Sequence, residues 1–218
     1  MRYSPAFVLL FALGCTSLPG GTGLQIGVEP TDDPLTLAAE CLARGDEPAA
    51  ANHFTAHLRQ HPDQLMFRLH LADLLLKLHR EKEAQAHYER FIAGAQESSG
   101  SPRDRIVHCH TRLMEIAQLA DDRFAELLHR GIGLVILTRQ ETDDLETREE
   151  ILCKAIAALG EAKVLRPTDP RVHVYLAEAH DRAGNRRAAD VARAAARNLA
   201  APDAITSSEL RNLEVSRP

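Results

Sequence analysis

Tryptophan is absent from this 218-residue chain, and aromatic residues of all kinds make up only 4% of it. Together with a formal net charge of -5, this removes both the stacking platforms and the basic footprint that hold nucleic acid. No nucleic-acid partner is expected. The sequence also lacks a nucleophile elbow, a phosphate-cradling glycine loop, an H-E-x-x-H pair and a C-x-x-C pair. An enzyme is therefore not expected, and neither is a cofactor. The N-terminal apolar run, residues 6–13, is too short to span a bilayer. A hydrophobic content of 44% is nonetheless enough to bury an ordinary core, so one structural unit is the natural count.

A helical-hairpin pattern is present, written twice over residues 31–97. In the first copy Ala50 is followed by Phe54 and then Pro62; in the second, Ala84 is followed by Tyr88, each 34 residues beyond its counterpart. A small residue and an aromatic one helical turn apart let two helices approach closely and then fill the gap between hairpins. Pro62 ends its helix. The preceding helices carry Leu37 and Ala38, then Leu71 and Ala72. Ala155, Leu159 and Pro167 repeat the offsets of Ala50, Phe54 and Pro62, and Leu176, Ala177 and Ala189 supply a last copy. This period and its A-x-x-x-F core resemble the tetratricopeptide repeat family. The family's tryptophan position falls on Pro34 and Arg68, and its tyrosine position on Cys41 and Leu75. The resemblance implies an all-α fold of tetratricopeptide-type hairpins stacked into an α-solenoid, a right-handed superhelix of nine or ten helices, over residues 34–200.

Between the copies the period slips, and residues 98–150 read as an irregular middle. Gly131 and Gly133 are expected to weaken a helix there by about 1 kcal/mol each. Arg193 stands where the family prefers an aromatic residue, so the last helix is expected to present a solvated outer face. Residues 201–218 read as a polar, frayed tail.

The N-terminus has the charge and length of a secretory signal, residues 1–14, followed by a glycine- and proline-containing tether over residues 15–33. Ala12-Leu13-Gly14-Cys15 resembles a bacterial lipoprotein box, which implies lipidation at Cys15 and anchoring in the cell envelope, on the periplasmic side of the outer membrane. A non-lipidated signal cleaved a few residues later is the alternative. Lipidation would leave Cys41, Cys109 and Cys153, an odd number, so no complete disulfide framework is expected; Cys41 and Cys153 read as buried thiols.

Several clusters invite chemistry. His53, His57 and His61 recur at one-turn spacing, and such a stripe is an alternative metal site, although three residues drift around the helix and leave the fourth ligand unassigned. His108, Cys109 and His110 lie about 100° apart on a helix and read as a solvated face. The acidic set Glu141, Asp143, Asp144, Glu146, Glu149 and Glu150, and the basic set Arg182, Arg186, Arg187, Arg193 and Arg197, likewise read as solvated, with docking as the sharper reading.

The resemblance implies a scaffold with a protein or peptide client, membrane-attached through its lipid, of undetermined oligomeric state. First helices of such repeats line the groove, which puts Met66, Leu69, Asp73, Leu76 and Lys77 there; the same all-round apolar helix reads equally as central core. In the second case the groove moves to Arg171, Glu178 and Arg182.

Overall fold

Asp33 begins the fold by accepting a hydrogen bond from the backbone N–H of Thr36, with Pro34 in the first turn where its missing N–H costs nothing. A computed structural model describes residues 33–97, 103–139, 145–199 and 205–214, all within the compact unit Asp32–Pro218. Among the described residues every regular element is a helix: α1 (Pro34–Ala43), α2 (Glu47–Gln60), α3 (Leu65–Lys77), α4 (Glu81–Glu97), α5 (Arg103–Leu119), α6 (Arg123–Leu137), α7 (Leu145–Leu165), α8 (Pro170–Arg182), α9 (Arg186–Leu199) and α10 (Ser207–Glu214). Helices adjacent in sequence pack against each other from α1 through α9, which makes the chain an all-α solenoid.

Four hairpins, α1–α2, α3–α4, α5–α6 and α8–α9, turn in the same way. An N–H past the helix end reaches back five positions in each: Asp46 to the Cys41 carbonyl (2.8 Å), Arg80 to Leu75 (2.9 Å), Asp122 to Ala117 (3.0 Å) and Asn185 to His180 (2.8 Å). The residue before each donor adopts a left-handed conformation, at φ 76° for Gly45, 55° for His79, 53° for Asp121 and 75° for Gly184. Asp46, Asp122 and Asn185 then cap the following helix through their side chains. One short segment thus closes one helix and opens the next.

The small and aromatic positions of the pattern are mostly internal. Ala38, Ala50, Leu71, Ala72, Ala84, Tyr88, Ala155, Leu159 and Ala189 are fully buried, with Phe54, Leu176 and Ala177 nearly so. Leu37 is half-buried, and Pro62 and Pro167 are exposed. At the tryptophan position, Arg68 donates to the Pro62 carbonyl, and the corresponding His173 meets the Pro167 carbonyl at 2.8 Å. Each joins a repeat to the proline turn six residues before it. Arg68 and His173 are themselves buried, and each places a polar group on a backbone acceptor instead of leaving it unpaired.

Three expectations change. Among the described residues of the middle, α5 and α6 form a hairpin like the others, and α6 also packs along α7 and touches α8. Gly131 permits that double contact. A Cβ built on it would lie 2.5 Å from Cγ of the fully buried Leu159. Arg193 is not on a solvated outer face; it is 5% exposed, pairs with Asp190 at 2.6 Å and bonds Asp181. Finally, the expected tail contains α10, which packs against α8, α4 and α9.

Candidate functional site: a cavity closed by the C-terminal helix

A cavity of ≈ 300 Å³ lies between α4, α5, α6, α8 and the start of α10. Its apolar walls are Ile92 on α4, Leu113 on α5 and Ile132 on α6, all core residues whose neighbours fix their helices. Arg171 and Tyr175 enter from α8, one turn apart on the same face. Asp169 caps α8 through the N–H of Arg171 (3.0 Å) and holds the Arg171 guanidinium at 2.7 Å. The cap thus also aims the cation.

His110 and His129 complete the polar lining, with their Nδ1 atoms 3.2 Å apart. One ring must donate and the other accept, so at least the accepting imidazole is neutral. Burial pushes the His110 pKa well below its usual value, helped by His129, Arg139 and Arg171. Burial, with Arg171, brings His129 down to about 4. The Nε2 of His110 is buried and has no protein partner.

Glu209, 5% exposed, brings a carboxylate from α10 into this lining. Its Oε2 accepts from the Thr206 N–H (2.7 Å), and its own N–H meets Thr206 Oγ1 (3.2 Å). This reciprocal pair is a capping box, and it orients Glu209 toward α8. Burial raises the Tyr175 pKa, and the Glu209 charge raises it further. The T-x-x-E spacing of Thr206 and Glu209 is a helix-start signal legible in the sequence, and it is what reading residues 201–218 as a frayed tail overlooks.

The candidates named from the sequence do not gather here as a group. Arg171 does line the cavity, but Glu178 is held by Arg139 in a two-pronged ion pair, 2.7 Å on both prongs, and Arg182 reaches Glu178 and the Thr138 carbonyl. These contacts bind the end of α6 to α8. On α3 the residues expected to line a groove range from buried to exposed. Leu69 is core, Met66 and Leu76 pack against the core, and only Lys77 is exposed, bonding Glu47. Asp73 accepts from the Tyr88 hydroxyl (2.6 Å) and contacts His108 Nε2 (2.9 Å), tying α3 to α4 and α5.

In the histidine stripe the His57 and His61 rings lie 4.7 Å apart between centroids, but their surroundings differ. The ring of His57 is buried, its Nε2 lies 2.7 Å from Gln64 Oε1, and Phe67 packs edge-on against it, while His61 is exposed. Among the described residues no group of three or more His, Cys, Asp or Glu side chains is arranged to hold a metal ion. The His108–His110 segment is not a solvated face: Cys109 and His110 are buried. Cys41 is buried as expected from its face, whereas Cys153 is exposed. Of the basic set, Arg193 and Arg197 are engaged within the fold, the latter with the Leu213 carbonyl at 2.7 Å. Glu146, Glu149 and Glu150 are exposed on α7; Glu141, Asp143 and Asp144 lie outside the described residues, as do Cys15 and the N-terminal segments.

No family model and no curated protein matches the chain. Among solved structures, one crystal structure of MamA aligns at a TM-score of 0.41 and 15% identity, covering 75% of this chain and 94% of that one. A second MamA structure aligns at 0.41 and 14%, covering 85% and 94%. TTC0263, a thermophilic TPR protein in Thermus thermophilus, aligns at 0.36 and 20%, covering 76% and 72%. At such scores the assignment of the fold rests on the helices, turns and packing of the chain itself.

Proposed function

We propose that the protein is a membrane-tethered scaffold that holds a protein or peptide client in the bacterial cell envelope, and that it is not an enzyme. The observation carrying this reading is the cavity: four helices from successive hairpins converge on one apolar-walled site, which the Arg171 guanidinium, aimed by Asp169, enters from α8. The tether half of the reading is supported by the secretory-signal pattern of residues 1–14, the glycine- and proline-containing stretch after it and the resemblance of residues 12–15 to a lipoprotein box.

The two halves are tested together in envelope fractions. A photo-crosslinking side chain replaces Ala93, which is exposed at the cavity rim, or Val164, which is 81% exposed on α7. A discrete adduct at position 93 that is absent at 164 is expected; equal labelling at both, or none at 93, sinks the client-binding half. Cys15→Ser is expected to release the protein from membrane lipid, because stable attachment takes more than one acyl chain and one residue carries them all. If that variant still sediments with lipid at high salt, the lipoprotein half is wrong.

A further inference from the structure

The helix that closes the cavity is short, and its attachment to the rest of the chain is sparse. Eight residues are too few to sustain an α-helix in water unaided, so the capping box and three inward side chains must hold α10 in place. Ile205 lies just before the capping Thr206, and Glu209 and Leu213 sit one turn apart on the helix itself. Ile205 and Leu213 are 7% and 3% exposed, Glu209 lies between them at 5%, and Leu210 faces outward at 42%. The stripe reads aliphatic, acid, aliphatic. Its acid lies in the field of Arg171, which also faces Glu89 across the cavity. Beyond the stripe, the Arg197 bond to the Leu213 carbonyl fastens the far end.

This arrangement is that of a bound amphipathic peptide: apolar anchors in a groove, with one charge to fix register. It is also incomplete. A ≈ 300 Å³ space remains beside α10, lined by Arg171 and by the His110 and His129 rings. A helix with longer side chains on the same stripe would fill volume that α10 leaves empty.

We propose that the groove between α4, α5, α6 and α8 is a helix-binding site that α10 occupies as a built-in competitor. Its external occupant is an amphipathic helix bearing a carboxylate in its first turn, with an aliphatic residue one turn after it and another just before its N-cap. This deepens the client-binding reading and rests on it for the existence of a client. The consequence is autoinhibition: a client binds only the fraction of molecules whose α10 is undocked, so its apparent affinity falls by that fraction. Tethering sharpens the competition, since a segment joined by a short connection presents an effective concentration on the order of millimolar.

The test uses a synthetic peptide of residues 203–216, titrated into the isotope-labelled full chain and followed by NMR. The full chain carrying Ile205→Asp with Leu213→Asp, which removes both anchors of α10, is titrated in parallel. The double variant is expected to bind the peptide at least ten-fold more tightly than the unaltered chain, with shifts at His110, His129 and Tyr175. A peptide carrying Glu209→Lys should lose most of that affinity. Equal affinity for the two proteins, or binding without shifts at those three residues, overturns the proposal. So does unfolding of the double variant, seen by circular dichroism and melting, because α10 would then be a structural cap that cannot leave. The outcomes separate this proposal from the client reading: peptide capture with no crosslink at position 93 sinks only the client, whereas a crosslink at 93 with no competition by α10 sinks only the autoinhibition.

Discussion

His79 sits at the residue position that glycine fills in two sister hairpins, 34 residues beyond Gly45, and its φ of 55° is strained for a side chain with a Cβ. Left-handed backbone costs a non-glycine residue roughly 1–2 kcal/mol, part of which glycine returns through the greater freedom of its unfolded chain. His79 gains little in exchange, being 90% exposed with only a 3.8 Å approach to Glu81. His79→Gly should therefore raise stability by roughly 0.5–1 kcal/mol in denaturant unfolding; a loss would show that the His79 side chain matters more than its backbone strain. Asp121→Gly should give less, because aspartate tolerates this conformation better. The identity of single residues was legible where it followed the period, as with Ala50 and Ala84. It was not where polar side chains replaced apolar ones, because Arg68 and His173 are buried through the carbonyl of a preceding proline turn and Arg193 through Asp190 and Asp181, pairings that no apolar period marks.

At the scale of the helix, α6 is the element whose sequence misleads. Gly131 reads as a weak point by propensity alone, yet it is the contact that lets α6 serve both α5 and α7. Propensity is a local quantity, and the Leu159 side chain that makes glycine necessary lies 28 residues away. Gly131→Ala should destabilise the fold by about 1–3 kcal/mol, since the fully buried Leu159 cannot move aside without disturbing close packing. Gly160 on α7 is the internal control. A Cβ there meets nothing within 4 Å, so Gly160→Ala should stabilise by about 0.5–1 kcal/mol. Opposite signs in thermal unfolding are the expected result, and two gains would show that α6 and α7 have room to separate. The pairing of α6 with α7 was hidden for a related reason: Ala155 lies 24 residues after Gly131, where the repeat spacing from Ala38 to Ala50 is 12, so the period could not reveal the partner. By contrast α10 was written plainly in Thr206 and Glu209, and the polar composition around it obscured a capping box.

Across the whole molecule, the cavity histidines link stability to pH. Cavity and solenoid are built by the same helices, so the desolvation that readies the site also acts on the folding equilibrium. His129 takes a proton at a pKa near 6.5 when unfolded but only at about 4 in the fold, and His110 is shifted in the same direction. A depressed histidine pKa means that the unfolded chain binds the proton first, so stability is full above pH 6.5 and falls as pH drops toward 4. For His129 alone the loss between pH 7 and pH 5.5 is about 1 kcal/mol. The carboxylates whose pKa values are held down by hydrogen bonds and ion pairs, Glu126, Asp73 and Asp169 among them, also favour the fold at high pH. Their share is lost mostly below pH 4.5, so the intermediate window isolates the histidines. His87 and His180, both shifted downward by burial, add to the loss in that window. Guanidinium unfolding at about pH 7 and 5.5 should show the loss in the unaltered chain and at most half of it in His110→Leu with His129→Leu. An equal loss in that variant would move the acid sensitivity to His87 and His180, and a gain on acidification would mean that the cavity receives the proton readily, with Glu209 or Glu89 as its counter-charge.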